Sequence, residues 1–145
     1  MDNLKFRFAK RKDVPLLSVM NKQLISDERH RHPMTVTQLE QRMSKFLQTE
    51  YTAVVISIDK NPVGYALYRR DPDWIYLRQL FIKREMRRKD VGRRAITWLK
   101  ENPWKEAKRV RVEVLINNIE SILFWRAMGF KDYCITMETD VPSRS

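Results

Sequence analysis

Cysteine, glycine and acidic side chains are all scarce in this chain of 145 residues, and it contains no long apolar run. The single cysteine, Cys134, has no intramolecular disulfide partner and cannot build a thiolate zinc site. That count points to a reducing compartment, and Cys134 itself reads as a small buried hydrophobe. No stretch approaches the ~20 apolar residues of a membrane span, and the N-terminal MDNLKFRF lacks the apolar core of a signal peptide. A soluble, cytoplasmic protein with no membrane partner is therefore expected. The glycines number only three, so the place of each is informative. Eighteen acidic residues against 29 basic ones leave a formal charge of +11. This balance suits anionic partners without choosing among nucleic acid, an acidic surface and a phosphorylated small molecule.

What remains is enough for one folded domain over residues 1–145, because 43% of the residues are apolar and the length supports a real core. Alternation in Lys5–Phe8 suggests a first strand. Asp13 is placed to cap a helix with Pro15 in its first turn and Leu16, Leu17, Met20 and Leu24 on its apolar face, through about residue 27. The polar stretch DERHRHPM (27–34) follows, and then a capping box of Thr35 and Gln38 opens a helix through Val36, Leu39, Met43, Phe46 and Leu47. The period then changes. Thr52–Ile58 and Val63–Arg69 read as a hairpin around the turn 59–62. Trp74–Ile82 reads as a long third strand with Tyr76, Arg78, Leu80 and Ile82 on one face and residues 75, 77, 79 and 81 on the other. A helix over about 90–101 buries Val91, Ala95, Trp98 and Leu99. A strand over Arg109–Leu115, a helix capped at Asn117 or Asn118 and closed by Gly129, and a last strand over Tyr133–Glu138 complete the pattern. The order β-α-α-β-β-β-α-β-α-β is that of an α/β chain around a mixed sheet, antiparallel first and crossing over later.

The segment 83–94, KREMRRKDVGRR, holds Lys83, Arg84, Arg87, Arg88, Lys89, Arg93 and Arg94 against Glu85 and Asp90, a net +5. It lies where a strand gives way to a helix. The first amides of a helix have no intrahelical acceptor and carry partial positive charge, so such a turn can cradle phosphate, and Gly92 permits close approach. A merely solvated basic turn is the alternative.

Two motifs in this order resemble the GCN5-related N-acetyltransferase (GNAT) superfamily. The first is the strand YLRQLFI (76–82) followed by Arg87-Arg88-Lys89-Asp90-Val91-Gly92, which fits Q/R-x-x-G-x-G/A except that Asp90 replaces the middle glycine. The second is NIESILFWRAMGF (118–130), with an Asn, a helix, an aromatic and Gly-Phe at the family's spacing. The resemblance covers nearly the whole chain. It implies a GNAT-like, mixed and mostly antiparallel sheet with helices on both faces and a splayed strand pair. It also implies acetyl-CoA as cosubstrate, held at its diphosphate by Arg87, Arg88, Lys89, Asp90, Val91, Gly92 and Arg93 and along its pantetheine arm by Leu80, Phe81, Ile82 and Asn118. Asn118 reads equally as a helix cap. Trp125 stands where relatives commonly place a tyrosine that protonates the leaving thiolate, and an indole N–H has no useful acidity. Gln79 occupies a position where relatives often carry a carboxylate base. The loop bordering the acceptor pocket supplies other candidates, Asp27, Glu28, His30 and His32, with Glu28 the first choice as base and His30 the second.

The implied activity is direct acetyl transfer to a primary amine on a small molecule or protein. Nucleic acid is disfavoured as a partner, because no aromatic-basic interleaving occurs. The resemblance admits a homodimer. A second reading, drawn from the charge of +11, Asp90 and Trp125, is a weakened GNAT-fold module that binds RNA or an acidic partner.

Overall fold

The computed structural model describes residues 3–28 and 33–143. The chain forms two compact units, Met1–Leu115 and Ile116–Ser145. The first unit carries strands β1 (Leu4–Phe8), β2 (Tyr51–Ile58), β3 (Asn61–Arg70), β4 (Ile75–Ile82) and β5 (Val110–Val112), with helices α1 (Val14–Asp27), α2 (Val36–Gln48) and α3 (Val91–Glu101). The sheet order is β1-β2-β3-β4-β5. The first four strands are antiparallel neighbours, and β5 joins β4 in parallel. The expected mixed, mostly antiparallel α/β fold is therefore the observed one. No helix among the described residues is long and apolar enough to cross a membrane.

Local chemistry accounts for the elements. Thr35 and Gln38 form the expected reciprocal cap of α2, at 2.9 and 3.1 Å. Asp59 and Lys60 both take positive φ, the two-residue turn that matches strand twist, so β3 starts at Asn61 rather than Val63. Asp13 caps α1 without bonding to it. Its carboxylate instead accepts from both Arg7 Nη atoms (2.8 and 2.9 Å) and from the Lys10 amide (2.7 Å). The bond from Arg7, more than that from the Lys10 amide, holds the Asp13 pKa down to about 2.

Helices cover both faces. Leu17, Met20 and Leu24 of α1 and Met43 of α2 pack on Tyr51, Ala53, Val55, Tyr65, Leu67 and Phe81. On the other face Val91 and Ala95 of α3 meet Ile56 and Val63, with Phe6, Leu80 and Ile82 alongside. The buried stripe of α3 is Val91, Ala95, Ile96 and Leu99. Trp98, expected inside, lies half-buried at the rim and stacks on Phe6 at 4.7 Å. Gly64 sits where β3 and β4 approach most closely, and a methyl group there would collide with the Phe81 carbonyl oxygen.

Four further expectations need correction. The simple alternation along β4 fails because Arg78 is an extra residue: Leu67 pairs with Gln79 and Tyr68 with Leu77. This bulge reverses the faces. Tyr76, Gln79 and Phe81 share the α1/α2 face, whereas Ile75, Leu77, Leu80 and Ile82 share the other. The strand expected over Arg109–Leu115 spans only Val110–Val112. The strand expected over Tyr133–Glu138 is absent among the described residues of the second unit, which holds the single helix α4 (Ile119–Ala127). Its alternating residues Tyr133, Ile135 and Met137 are exposed (74, 72 and 84%), so the run has no buried face of the kind that fixes a strand. Cys134, in the same run, is exposed rather than buried.

Candidate active site

The site begins where two strands part. β4 and β5 share only the pairs Ile75–Val110, Tyr76–Arg111 and Leu77–Val112, while β4 continues to Ile82. Beyond Leu77 no strand pairs with this edge of β4 among the described residues of the first unit. The Lys83 amide donates to Val63 O at 2.7 Å. Amides alternate in direction along an antiparallel strand, so that of Phe81 points to β3 and those of Leu80 and Ile82 point into the gap. The bulge at Arg78 sets this phase. The side chains divide differently: Phe81 is buried under α1, and Leu80 and Ile82 lie toward α3.

The basic segment closes the end of β4. Lys83 precedes a 3₁₀ turn, Arg84–Met86, and α3 starts at Val91. Arg88 and Asp90 both have positive φ. Asp90 occupies the position of the family's middle glycine, and its left-handed backbone gives the physical reason a glycine suits that place; Asp is among the few other residues that tolerate it. The first helical bond runs from Arg94 N–H to Asp90 O, which leaves the amides of Val91, Gly92 and Arg93 outside the ladder. The guanidinium groups around them are largely paired. Arg87 donates from Nε to Ile82 O (2.9 Å) and from Nη2 to Asp27, and Arg84 reaches the same carboxylate at 3.1 Å. Arg93 donates from Nε to Asp90 Oδ1 at 2.7 Å, and a second bond completes the pair. That pairing holds the Asp90 carboxyl below its ordinary range. Arg88 and Lys89 are exposed.

Asp27 ends α1, so the pairs to Arg84 and Arg87 tie the phosphate-type turn to the start of the segment that carries the other candidates. Glu28 is half-buried. Burial, and secondarily the charge of Asp27, push its pKa up. Gln79 Oε1 accepts from the Tyr65 hydroxyl at 2.8 Å. Burial holds that hydroxyl firmly protonated; Arg42 opposes the shift and Glu28 adds to it. His30 and His32 lie outside the described residues.

Aromatic and guanidinium groups continue along this face, and the sequence reading missed them. Arg69 donates to Asp71 (2.9 Å) and to the Tyr51 hydroxyl (2.8 Å) and lies 4.6 Å from the Tyr76 ring centroid. The Tyr76 hydroxyl donates to Glu113 Oε1 at 2.6 Å. Arg42 and Arg78 both lie against Phe46. Phe46 was legible only as a helix-face position and Tyr76 and Arg78 only as residues on one face of a strand; the bulge that brings Gln79 to the same face leaves no mark in the residue pattern.

In the second unit, Asn118 Oδ1 accepts from the Ser121 amide at 3.3 Å and caps α4. Trp125 makes edge contacts with Phe124 and Phe130, each at 4.9 Å. Gly129 ends the helix with φ of 93°, and Arg126 pairs with Asp132 at 2.7 and 3.0 Å.

Comparison with known proteins gives a family and a fold. Residues 18–130 match the model of the Acetyltransferase (GNAT) family. No match was found among curated proteins. Among solved structures, a possible acetyltransferase from Clostridium difficile 630 is 16% identical, covers 98% of this chain and 100% of its own, and superposes with a TM-score of 0.81. The aminoglycoside N-acetyltransferase AAC(6')-Iy, solved in complex with CoA, is 13% identical over 97% of this chain and 95% of its own, with a TM-score of 0.77. The aminoglycoside acetyltransferase meta-AAC0020 from an uncultured soil metagenomic sample, solved with sisomicin, is 14% identical over 97% and 98%, with a TM-score of 0.73. At these identities the likeness is one of fold.

Proposed function

Because the chain belongs to the GNAT acetyltransferase family by the match over residues 18–130, we propose that it transfers an acetyl group from acetyl-CoA directly to a primary amine. The observation that carries this reading is the short β4–β5 ladder: it stops at Leu77 and Val112 while β4 runs on to Ile82. The residues present fit the cosubstrate. The amides of Val91, Gly92 and Arg93 would hold its diphosphate, and the outward amides of Leu80 and Ile82 would hold the pantetheine arm and the carbonyl oxygen. Acetyl-CoA supplies the acetyl group as a thioester.

Glu28 is the proposed base. Its raised pKa suits the task, since a carboxylate that holds protons more firmly accepts one from an ammonium more readily. The ammonium gives one proton to Glu28, the N–C bond forms, and the C–S bond breaks with its electron pair left on sulfur. The second nitrogen proton ends on that thiolate, and Glu28 returns its own to water. A thiol is acidic enough to leave without a side-chain acid, so tryptophan at position 125 is compatible with turnover.

Thermal unfolding with acetyl-CoA tests the reading. Ligand at 100 times its Kd should stabilise the protein by about 2.7 kcal/mol, a rise of roughly 5–10 °C for a chain of this size. No shift at millimolar acetyl-CoA overturns it. Glu28→Gln should lower kcat by about 100-fold or more and leave acetyl-CoA binding intact.

A further inference from the structure

The proposed reaction leaves two guanidinium groups on the α1/α2 face unused. Arg42 extends from α2, and Arg78 is the extra residue of the β4 bulge. Their Cζ atoms lie 5.5 and 4.9 Å from the centroid of the same ring, Phe46. Burial lowers the pKa of Arg42, and repulsion from Arg78 lowers it further. Their bonds are to neutral groups: Arg42 Nη2 donates to Asn21 Oδ1 at 3.0 Å, and Arg78 Nη1 to the Tyr51 hydroxyl at 3.4 Å. Neither is paired with a carboxylate among the described residues. One buried donor here also goes unmatched, Arg42 Nε. Like charges gathered at one ring beside an unmatched donor are the arrangement an oxyanion would complete.

Resting on the acetyltransferase reading, we propose that Arg42 and Arg78 form an oxyanion subsite, so that the acceptor is an amine that also bears a carboxylate or a phosphate. Arg42 bonds to Asn21 of α1, and Glu28 caps the same helix about two turns further on, so one helix links the subsite to the base. An acceptor of this kind would turn its ammonium toward Glu28 and its oxyanion toward the guanidinium pair. Amines with further positive charge and no oxyanion are disfavoured.

The test is a set of matched acceptors with purified enzyme and acetyl-CoA, read by release of CoA thiol. Amino acids are compared with their carboxamides, and phosphoethanolamine with ethanolamine. The oxyanion-bearing member should have the higher kcat/KM in at least one series, by about 10- to 100-fold, and the series that responds tells carboxylate from phosphate. Arg42→Gln and Arg78→Gln should each shrink that preference, mainly through KM, with the Kd of acetyl-CoA unchanged by calorimetry. Arg78 is exposed, so its variant should fold even if that of Arg42 does not. A preference for the neutral members, no acetylation of any oxyanion-bearing amine, or a full preference retained by Arg78→Gln overturns the subsite. Acetyl-CoA binding with any of these results leaves the acetyltransferase reading standing; loss of acetyl-CoA binding in the parent enzyme removes that reading first.

Discussion

The basic turn and the pair Arg42–Arg78 both hold arginine, and the protein treats them differently. In the turn the charge is dense along the chain, yet Arg84 and Arg87 are bound to Asp27 and Arg93 to Asp90. Arg42 and Arg78 are far apart in sequence, meet at one ring, and have no carboxylate partner among the described residues. A run of positive residues is therefore a poor guide to where positive charge is available. A guanidinium already forked onto a carboxylate has little charge left to offer a ligand. One resting on an aromatic ring keeps donors for a ligand. On this view the turn chiefly presents main-chain amides, and the scattered pair presents charge.

A change that should affect both regions together is expected to have the largest effect. Arg78 belongs to β4, the basic turn follows it, and β4 is seated on β3 at Gly64. There an added Cβ would also lie 3.1 Å from Ile82 Cδ1 and 3.2 Å from Ile82 Cα. Gly64→Ala should cost about 3 kcal/mol in urea unfolding and weaken binding of acetyl-CoA. A neutral result would mean that the β3–β4 spacing is not what holds the two regions. Within the turn, Arg87→Ala removes a bond to Ile82 O and strands much of the charge of Asp27, for about 2 kcal/mol. Arg93→Ala, at an exposed pair, should leave the unfolding midpoint unchanged. Equal effects of the two would erase the distinction between a shaping and a solvated arginine.

Asp27→Asn probes the connection between the turn and the proposed base through pH. Burial is the larger cause of the raised Glu28 pKa, and the Asp27 charge is the smaller. A raised carboxyl pKa means that the native state holds this proton to higher pH than the unfolded chain does. The stabilising contribution is thus complete below the unfolded value and is lost as pH rises through the folded one. A base must be deprotonated, so kcat/KM should rise across the same window. Asp27→Asn removes the second cause, and the rise should move to lower pH. A profile that stays in place or moves upward would show that another group titrates.

Much of this was legible in the sequence because periodicity and capping are local. The capping box at Thr35 and Gln38, the hairpin, the strand before the basic turn and the Asn118 cap all rest on residues within a few positions of one another. The bulge at Arg78 was not legible: it depends on how β4 pairs with β3, and nothing in YLRQLFI distinguishes a bulged strand from a flat one. The strand expected over Tyr133–Glu138 failed for a related reason, since alternation gives a face but not the partner that face requires. Among the candidate site residues, Glu28 could be singled out by type and position. Its tie to the turn through Asp27, and the meeting of Arg42 with Arg78, needed the packing of α1 and α2 on the sheet.

The smallest expected change in ligand binding is at Asp90. This residue combines a backbone suited to glycine with a negative charge beside amides that would face a diphosphate. Arg93 neutralises the charge from one side, so part of its unfavourable field is already cancelled. Asn keeps the short polar side chain that tolerates positive φ and removes the charge. Asp90→Asn should therefore leave the melting temperature nearly unchanged and release Arg93 toward the ligand. It should tighten acetyl-CoA by about two- to five-fold at low salt, the scale of one charge at a helix N-terminus. The gain should fade as salt is raised, because the site is exposed. Weaker binding by the Asn variant would mean that the Asp90–Arg93 pair builds the turn instead of opposing the ligand, and the basic segment would then owe its shape to both of its carboxylate partners rather than to Asp27 alone.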